Sequence, residues 1–186
     1  MDARHTVEAV WRMHSARLVA SLTRLVQDLG LAEDVAQEAF VCALEQWPRQ
    51  GVPDEPAAWL MTTARRRAID LIRRERSRDH KYAQLAVRLG EPYDTAHDDD
   101  LLSLLFVACH PILPQESRAA LTLRLVGGLA TDEIARAFLV PSATMGQRIS
   151  RAKRTLSEAE VPFAVPDADE LPARLSTVLA GVSWLF

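Results

Sequence analysis

The side chains with chemistry to offer here are basic and amidic, and they come in two runs. In residues 131–156, TDEIARAFLVPSATMGQRISRAKRTL, Met145, Ile149, Ala152 and Leu156 recur at helical spacing. The opposite side offers Thr144, Gln147, Arg148, Arg151 and Arg154. Glutamine can address adenine, and arginine can address guanine or a phosphate. A short helix carrying Ile134 and Phe138, a tight turn and this second helix make the layout of a helix-turn-helix. In such a pair the second helix lies in the major groove, with its N-terminal residues nearest the base edges. The plainer reading is a packed helix pair with solvated arginines. The other run, WLMTTARRRAIDLIRRERSR from Trp59 to Arg78, puts Arg66, Asp70 and Arg73 on one helical stripe with Trp59. Arg65, Arg67 and Arg74 lie nearby. A basic face with an aromatic on it suits single strands, whose phosphates it neutralises and whose bases stack. The plainer reading for Trp59 is packing against the proline-rich loop ahead of it.

Nucleophilic and metal chemistry find no foothold. His5, His14, His80, His97 and His110 lack ligand spacing, and Cys42 and Cys109 are too few for a disulfide scaffold. There is no phosphate-cradling glycine loop and no nucleophile elbow. The sequence predicts no enzyme, no catalytic residue, no metal and no cofactor.

Charge patterning frames the two runs. Lys plus Arg is 22 and Asp plus Glu is 25 in 186 residues, a net of −3, which excludes a uniformly basic coat. Trp59–Lys81 holds eight basic residues against three acidic ones, whereas Tyr82–Asp100 holds one against five. Thr131–Leu156 is basic again, five to two, and Ser157–Phe186 is acidic, one to five. Two basic helical segments separated by an acidic connector point to two anion-binding modules on one chain.

The elements that must carry these runs are helical throughout. Val7, Trp11, His14, Leu18, Leu22, Leu25 and Leu29 form one stripe of a long first helix, with Gly30 as its stop. A second helix spans about 33–47, ended by Pro48, and PRQGVPDEP must be a loop. A third runs from about 57 to 78. EPYDTAHDDD reads as a linker. A second helical block begins near Leu101 with LLSLLFVACHPIL, then a helix over 116–126 stopped by Gly127 and Gly128. Thr131 and Ser142 fit the N-caps of the last two helices. No strand-like alternation is present, so the fold class is all-α: two small helical domains joined by an acidic linker, the second holding the helix-turn-helix.

Three motifs in this order resemble bacterial extracytoplasmic-function (ECF) sigma factors, across about residues 6–157. AEDVAQEAF resembles that family's core-polymerase-binding helix, Trp59–Arg78 its promoter-melting and minus-ten-reading helix, and Thr131–Lys153 its helix-turn-helix for the minus-thirty-five element. LTLRLVGGLATDEIARAFLVPSATM further resembles a subgroup with an added C-terminal helical domain. The resemblance implies domain two over 1–79, a linker over 80–100, domain four over 101–158, and at 159–186 the start of an extension that continues further. It implies core polymerase contacts through Asp34, Gln37, Glu38 and Phe40, made to the β′ and β subunits. The minus-ten contacts would be Trp59, Arg65, Arg66, Asp70, Arg73 and Arg74, with the loop from Pro48 to Pro56 capturing a flipped base. The minus-thirty-five contacts would be Ser142, Thr144, Gln147, Arg148, Arg151, Lys153 and Arg154. Arg66 stands where many members carry Asn. Gly146 weakens the recognition helix by about 0.5–1 kcal/mol against Ala.

The function this implies is promoter recognition and transcription initiation as a subunit of RNA polymerase. Control would fall to an anti-sigma factor or to the chain's own C-terminal domain, and the residues leave both open. The alternative is a conventional helix-turn-helix regulator that binds duplex DNA alone, which would leave AEDVAQEAF and the basic third helix without a role. No apolar run reaches the ~18–20 residues of a membrane span, and MDARHTVEAVWRMH lacks the apolar core of a signal peptide. The expectation is a cytoplasmic protein with no membrane partner.

Overall fold

A computed structural model describes residues 3–75 and 98–183, and all regular structure among them is helical. The chain divides at the His97–Asp98 junction into two compact units.

The first unit is a three-helix packing of α1 (Ala3–Val26), α2 (Leu29–Gln50) and α3 (Pro56–Glu75). Its core sets large side chains of α1 (Val7, Leu18, Leu22) against small ones of α2 and α3: Ala32, Ala36, Ala39 and Ala43, then Ala64 and Ala68. Interaxial distance follows side-chain size, so alanine faces let helices approach closely. The first helix does not run on to Gly30. It breaks at Gln27, which takes φ 55°, and Asp28 starts the next helix by accepting the Leu31 N–H on its side chain at 2.7 Å. Gly30 is therefore helical, in the first turn of α2, and a Cβ there would stand 3.2 Å from the capping Asp28 oxygen. Pro48 does not end α2 either. The missing N–H costs one bond, but the turn still closes through the Gly51 N–H on the Trp47 carbonyl at 3.0 Å.

The second unit comprises α4 (Asp98–Ala108), α5 (Gln115–Leu125), α6 (Thr131–Ala137), α7 (Ser142–Glu158) and α8 (Leu171–Ser183). Asp98, Asp99 and Asp100, assigned to the connector by charge, are the opening turn of α4. Acidic residues suit that end of a helix dipole. The rest of the expected linker, from residue 80 to 97, lies outside the described residues.

The expected N-caps shift back by one residue. Ala130 and Pro141 occupy the cap positions, so Thr131 and Ser142 are the first helical residues. Neither Ala130 nor Pro141 has a side-chain oxygen to cap with; instead the Glu133 carboxylate accepts the Ala130 N–H at 2.8 Å. The turn between α6 and α7 closes by the N–H groups of Leu139 and Val140 on the carbonyls of Arg136 and Ala135. This is the double bond pattern of a Schellman stop, with Leu139 at φ 53° in the place glycine usually takes.

The tail is part of this unit. Val178 of α8 is buried with Phe106 and Cys109, and Leu105, Val165 and Leu171 pack on that cluster. Arg174 donates to the Phe106 carbonyl at 3.0 Å, supplying a partner that the last turn of α4 lacks within its own helix. Burial pushes the Cys109 thiol pKa up, against the Thr122 hydroxyl 3.3 Å away, so this cysteine stays protonated and packs.

Candidate nucleic-acid interface

On α7 one face packs and the other is largely exposed. Met145, Ile149, Ala152 and Leu156 are buried, while Ser142, Thr144, Gln147, Arg151 and Arg154 are exposed. The stripe that spacing assigned to packing is thus the buried one. Within the exposed set the arginines differ. Arg154 pairs with Glu158 one turn on, Nε to carboxylate at 3.5 Å, both largely exposed; such a pair is worth at most a few tenths of a kcal/mol. No ion pair holds Arg151 among the described residues. Arg148 is held firmly: its Nη2 lies 2.9 Å from the Glu116 carboxylate, and its guanidinium sits 5.9 Å from the Phe138 ring centroid. Lys153 falls elsewhere. At 100° per residue it lies about 120° round the helix from Gln147, on the far flank of the buried stripe, and it is half-buried.

Arg148 and Arg151 border an open groove of about 420 Å³ between α7 and the start of α5. Glu116, Ser117 and Thr155 also line it. Sequence reading passed over these three. Thr155 follows Arg151 at i+4 and so shares its stripe, which was a readable signal. Glu116 and Ser117 come from another helix, and spacing carries no trace of that approach.

In the first unit the α2 residues fall into two pairs. Asp34 and Glu38 are exposed, whereas Gln37 and Phe40 are half-buried. Gln37 donates to the Glu33 carboxylate at 2.8 Å, and Glu33 is only 4% exposed. Phe40 stacks at a tilt of 41° on Trp11, centroids 4.7 Å apart. The exposed apolar residue on the Asp34–Gln37–Glu38 stripe is Val41, at 50%. It stands at i+7 from Asp34, one residue past the end of AEDVAQEAF.

On α3, Trp59 meets Trp47 edge-on at 5.4 Å and 69°, and Trp47 is buried. The expected packing partner was the loop; the observed ring partner lies in α2. Arg66 and Asp70 are exposed and Arg65 is half-buried. Arg67, which the sequence placed near the basic stripe, reaches back to α2. It donates to Cys42 Sγ at 3.3 Å and pairs with Glu38 at 3.8 Å. The backbone of α3 includes Arg73 and Arg74, whose side chains lie outside the described residues.

Among the described residues, no group of three or more His, Cys, Asp or Glu is placed to hold a metal, and no helix is long and apolar enough to cross a membrane. What the geometry offers is recognition: exposed hydroxyl, amide and guanidinium groups on a rigid helix, and a second basic helix braced by aromatic packing.

Two family models match the chain, Sigma-70 region 2 over residues 10–78 and Sigma-70, region 4 over residues 103–156. An uncharacterized protein of Rhizobium meliloti (strain 1021) is 42% identical over 181 residues, covering 90% of this chain and 42% of that protein. The probable ECF RNA polymerase sigma factor SigI of Mycobacterium tuberculosis (strain ATCC 25618 / H37Rv) is 32% identical over 177 residues, covering 90% of this chain and 60% of the relative. The ECF RNA polymerase sigma factor SigK of Mycobacterium ulcerans (strain Agy99) is 30% identical over 149 residues, or 75% and 78% of the two chains. The chain thus spans about half the length of the first two relatives.

Proposed function

The chain belongs to the sigma-70 family of RNA polymerase sigma factors, in its extracytoplasmic-function (ECF) group, and from that membership we propose that it is a promoter-specificity subunit without catalytic chemistry of its own. The observation that carries this reading is the division of labour on α7. A buried stripe fixes the helix in its unit, and Thr144, Gln147 and Arg151 are left exposed on the other side, inside a region 4 match that follows a region 2 match in order.

In this reading the first unit binds core polymerase along α2, with Asp34 and Glu38 as the charged contacts and Val41 as the apolar one, beside Gln37 and Phe40. The partner surface would be basic, on the β′ subunit, with the β subunit contacted elsewhere. The face of α3 with Trp59, Arg65, Arg66, Asp70, Arg73 and Arg74 would engage the minus-ten region once it opens, and stacking and phosphate neutralisation are the interactions such a face supplies. Glu38 would serve twice, since it also holds Arg67. The second unit would read the minus-thirty-five element, with Ser142, Thr144, Gln147 and Arg148 near base edges and Arg151, Arg154 and Lys153 toward phosphates. The site of action would be the cytoplasm, where polymerase is.

The test is competition with the housekeeping sigma factor for bacterial core RNA polymerase. Tight, displaceable binding, followed by selection of particular promoters from a random library, is the expected result. Binding to duplex DNA alone with no affinity for core would replace this reading with that of a conventional regulator.

A further inference from the structure

Arg148 is the most constrained arginine on the readout helix. Its side chain is 23% exposed, and three elements converge on it: α7 carries it, Glu116 in the first turn of α5 receives its Nη2 at 2.9 Å, and the Phe138 ring at the end of α6 lies 5.9 Å from its centre. Glu116 is well placed to act as an anchor, because the N-terminal end of an 11-residue helix favours its charge. A guanidinium has five N–H donors in a rigid fork, and one contact to Glu116 leaves the rest of the fork open. Arg151, one turn further on the same face, has no such brace among the described residues.

We propose that Glu116 is a positioning residue for base readout: it holds the Arg148 fork in one orientation, so that Arg148 reads a guanine edge rather than neutralising a phosphate. This rests on the promoter-reading function proposed above. An unbraced arginine beside DNA is drawn to the nearest phosphate, which carries no sequence information. A carboxylate on the protein side opposes that attraction and fixes the plane of the fork, as bidentate recognition requires. The open groove shared by Glu116, Arg148 and Arg151 leaves room for a base edge at that point.

The experiment uses the full chain assembled with core polymerase and a pool of duplexes randomised across the upstream promoter element. R148A and E116Q are expected to lose preference at the same base pair, E116Q by about tenfold. E116D is expected to restore part of it, and the double variant E116A/R148A to match R148A alone. On non-promoter duplex, E116Q is expected to bind more tightly, with a salt slope steeper by up to about one, as the freed arginine turns to a phosphate. A merely structural ion pair would leave the base preference of E116Q unchanged. The proposal is overturned if E116Q keeps the parent preference, if it loses preference at a different base pair, or if the double variant is additive. A parent holoenzyme that selects no sequence in this element overturns the promoter reading as well, and that result is distinct from a parent and an E116Q that select the same sequence.

Discussion

In the first unit, outward-facing polar groups also brace the helices against each other. Glu38 on α2 and Arg67 on α3 lie 3.8 Å apart, Arg67 continues to Cys42, and the Trp59 ring leans on the buried Trp47. In the second unit α7 separates the two tasks more fully, with its packing residues on one side and most of its polar ones on the other, although Arg148 also ties it to Glu116 and Phe138. A face that is free of packing duty can change its specificity without endangering the fold. A face that shares its residues with the core cannot, and its changes should register in stability and binding together.

The largest test of that contrast is Trp47→Ala. Loss of a buried Trp costs about 3–5 kcal/mol, and here it also removes the support of Trp59, so denaturant melts of the first unit should shift strongly and promoter opening should fail with it. Arg151→Ala makes the opposite prediction. The melting temperature should stay within error, while promoter affinity drops and its salt slope falls by about one if the contact is to phosphate; a lost melting transition would break the contrast. Replacing Asp34 and Glu38 together by Ala should weaken core binding severalfold. The Glu38–Arg67 pair is about half exposed on both sides, so stability should fall by less than about 1 kcal/mol and helix content should not change.

Gly146→Ala should raise stability by about 0.5–1 kcal/mol, since a Cβ there meets nothing nearer than Thr131 Cγ2 at 3.9 Å. Unchanged promoter affinity would mean that the glycine is simply tolerated, and lost affinity that DNA approaches the backbone at that point. The smallest effect concerns pH. Burial, then the nearby Arg174 charge, lowers the His110 pKa below its ordinary value of 6.5, and the neutral ring can accept the Ile112 N–H at 3.3 Å. The unfolded chain therefore binds the proton more readily. This contribution to stability is present above about pH 6.5 and is lost as pH falls through the lower folded value. Melting of the second unit should drop slightly on that descent, and His110→Asn should flatten the drop.

The helical type of the described segments was legible because they carry apolar residues at helical spacing, and the three motifs stand in family order. The stripe of α7 was read residue by residue. What spacing could not give were breaks made by unlikely residues and contacts made across helices. Gln27 and Leu139 take left-handed backbone where glycine was the expected signal, so the end of α1 was placed three residues late, at Leu29. Pro48 looked like a terminator, yet Trp47 beside it is buried and α2 runs on to Gln50. Glu116 lies 32 positions before Arg148, and Cys42 lies 25 before Arg67; periodicity reports faces and says nothing of which faces meet. Phe40 drew attention as an aromatic, but aromatics find ring partners, and the smaller Val41 was left at the surface.

The region 4 match closes at residue 156, but the packing does not. Phe106 and Cys109 are closed over by Val165, Leu171 and Val178, and the Phe106 carbonyl is answered by Arg174. The stretch that the family model covers and the stretch that folds therefore have different edges. Anyone exchanging readout helices between such proteins, or cutting out the second unit for separate study, should place the downstream joint beyond Val178; a joint just after Glu158 would transfer the recognition surface and leave part of its foundation behind.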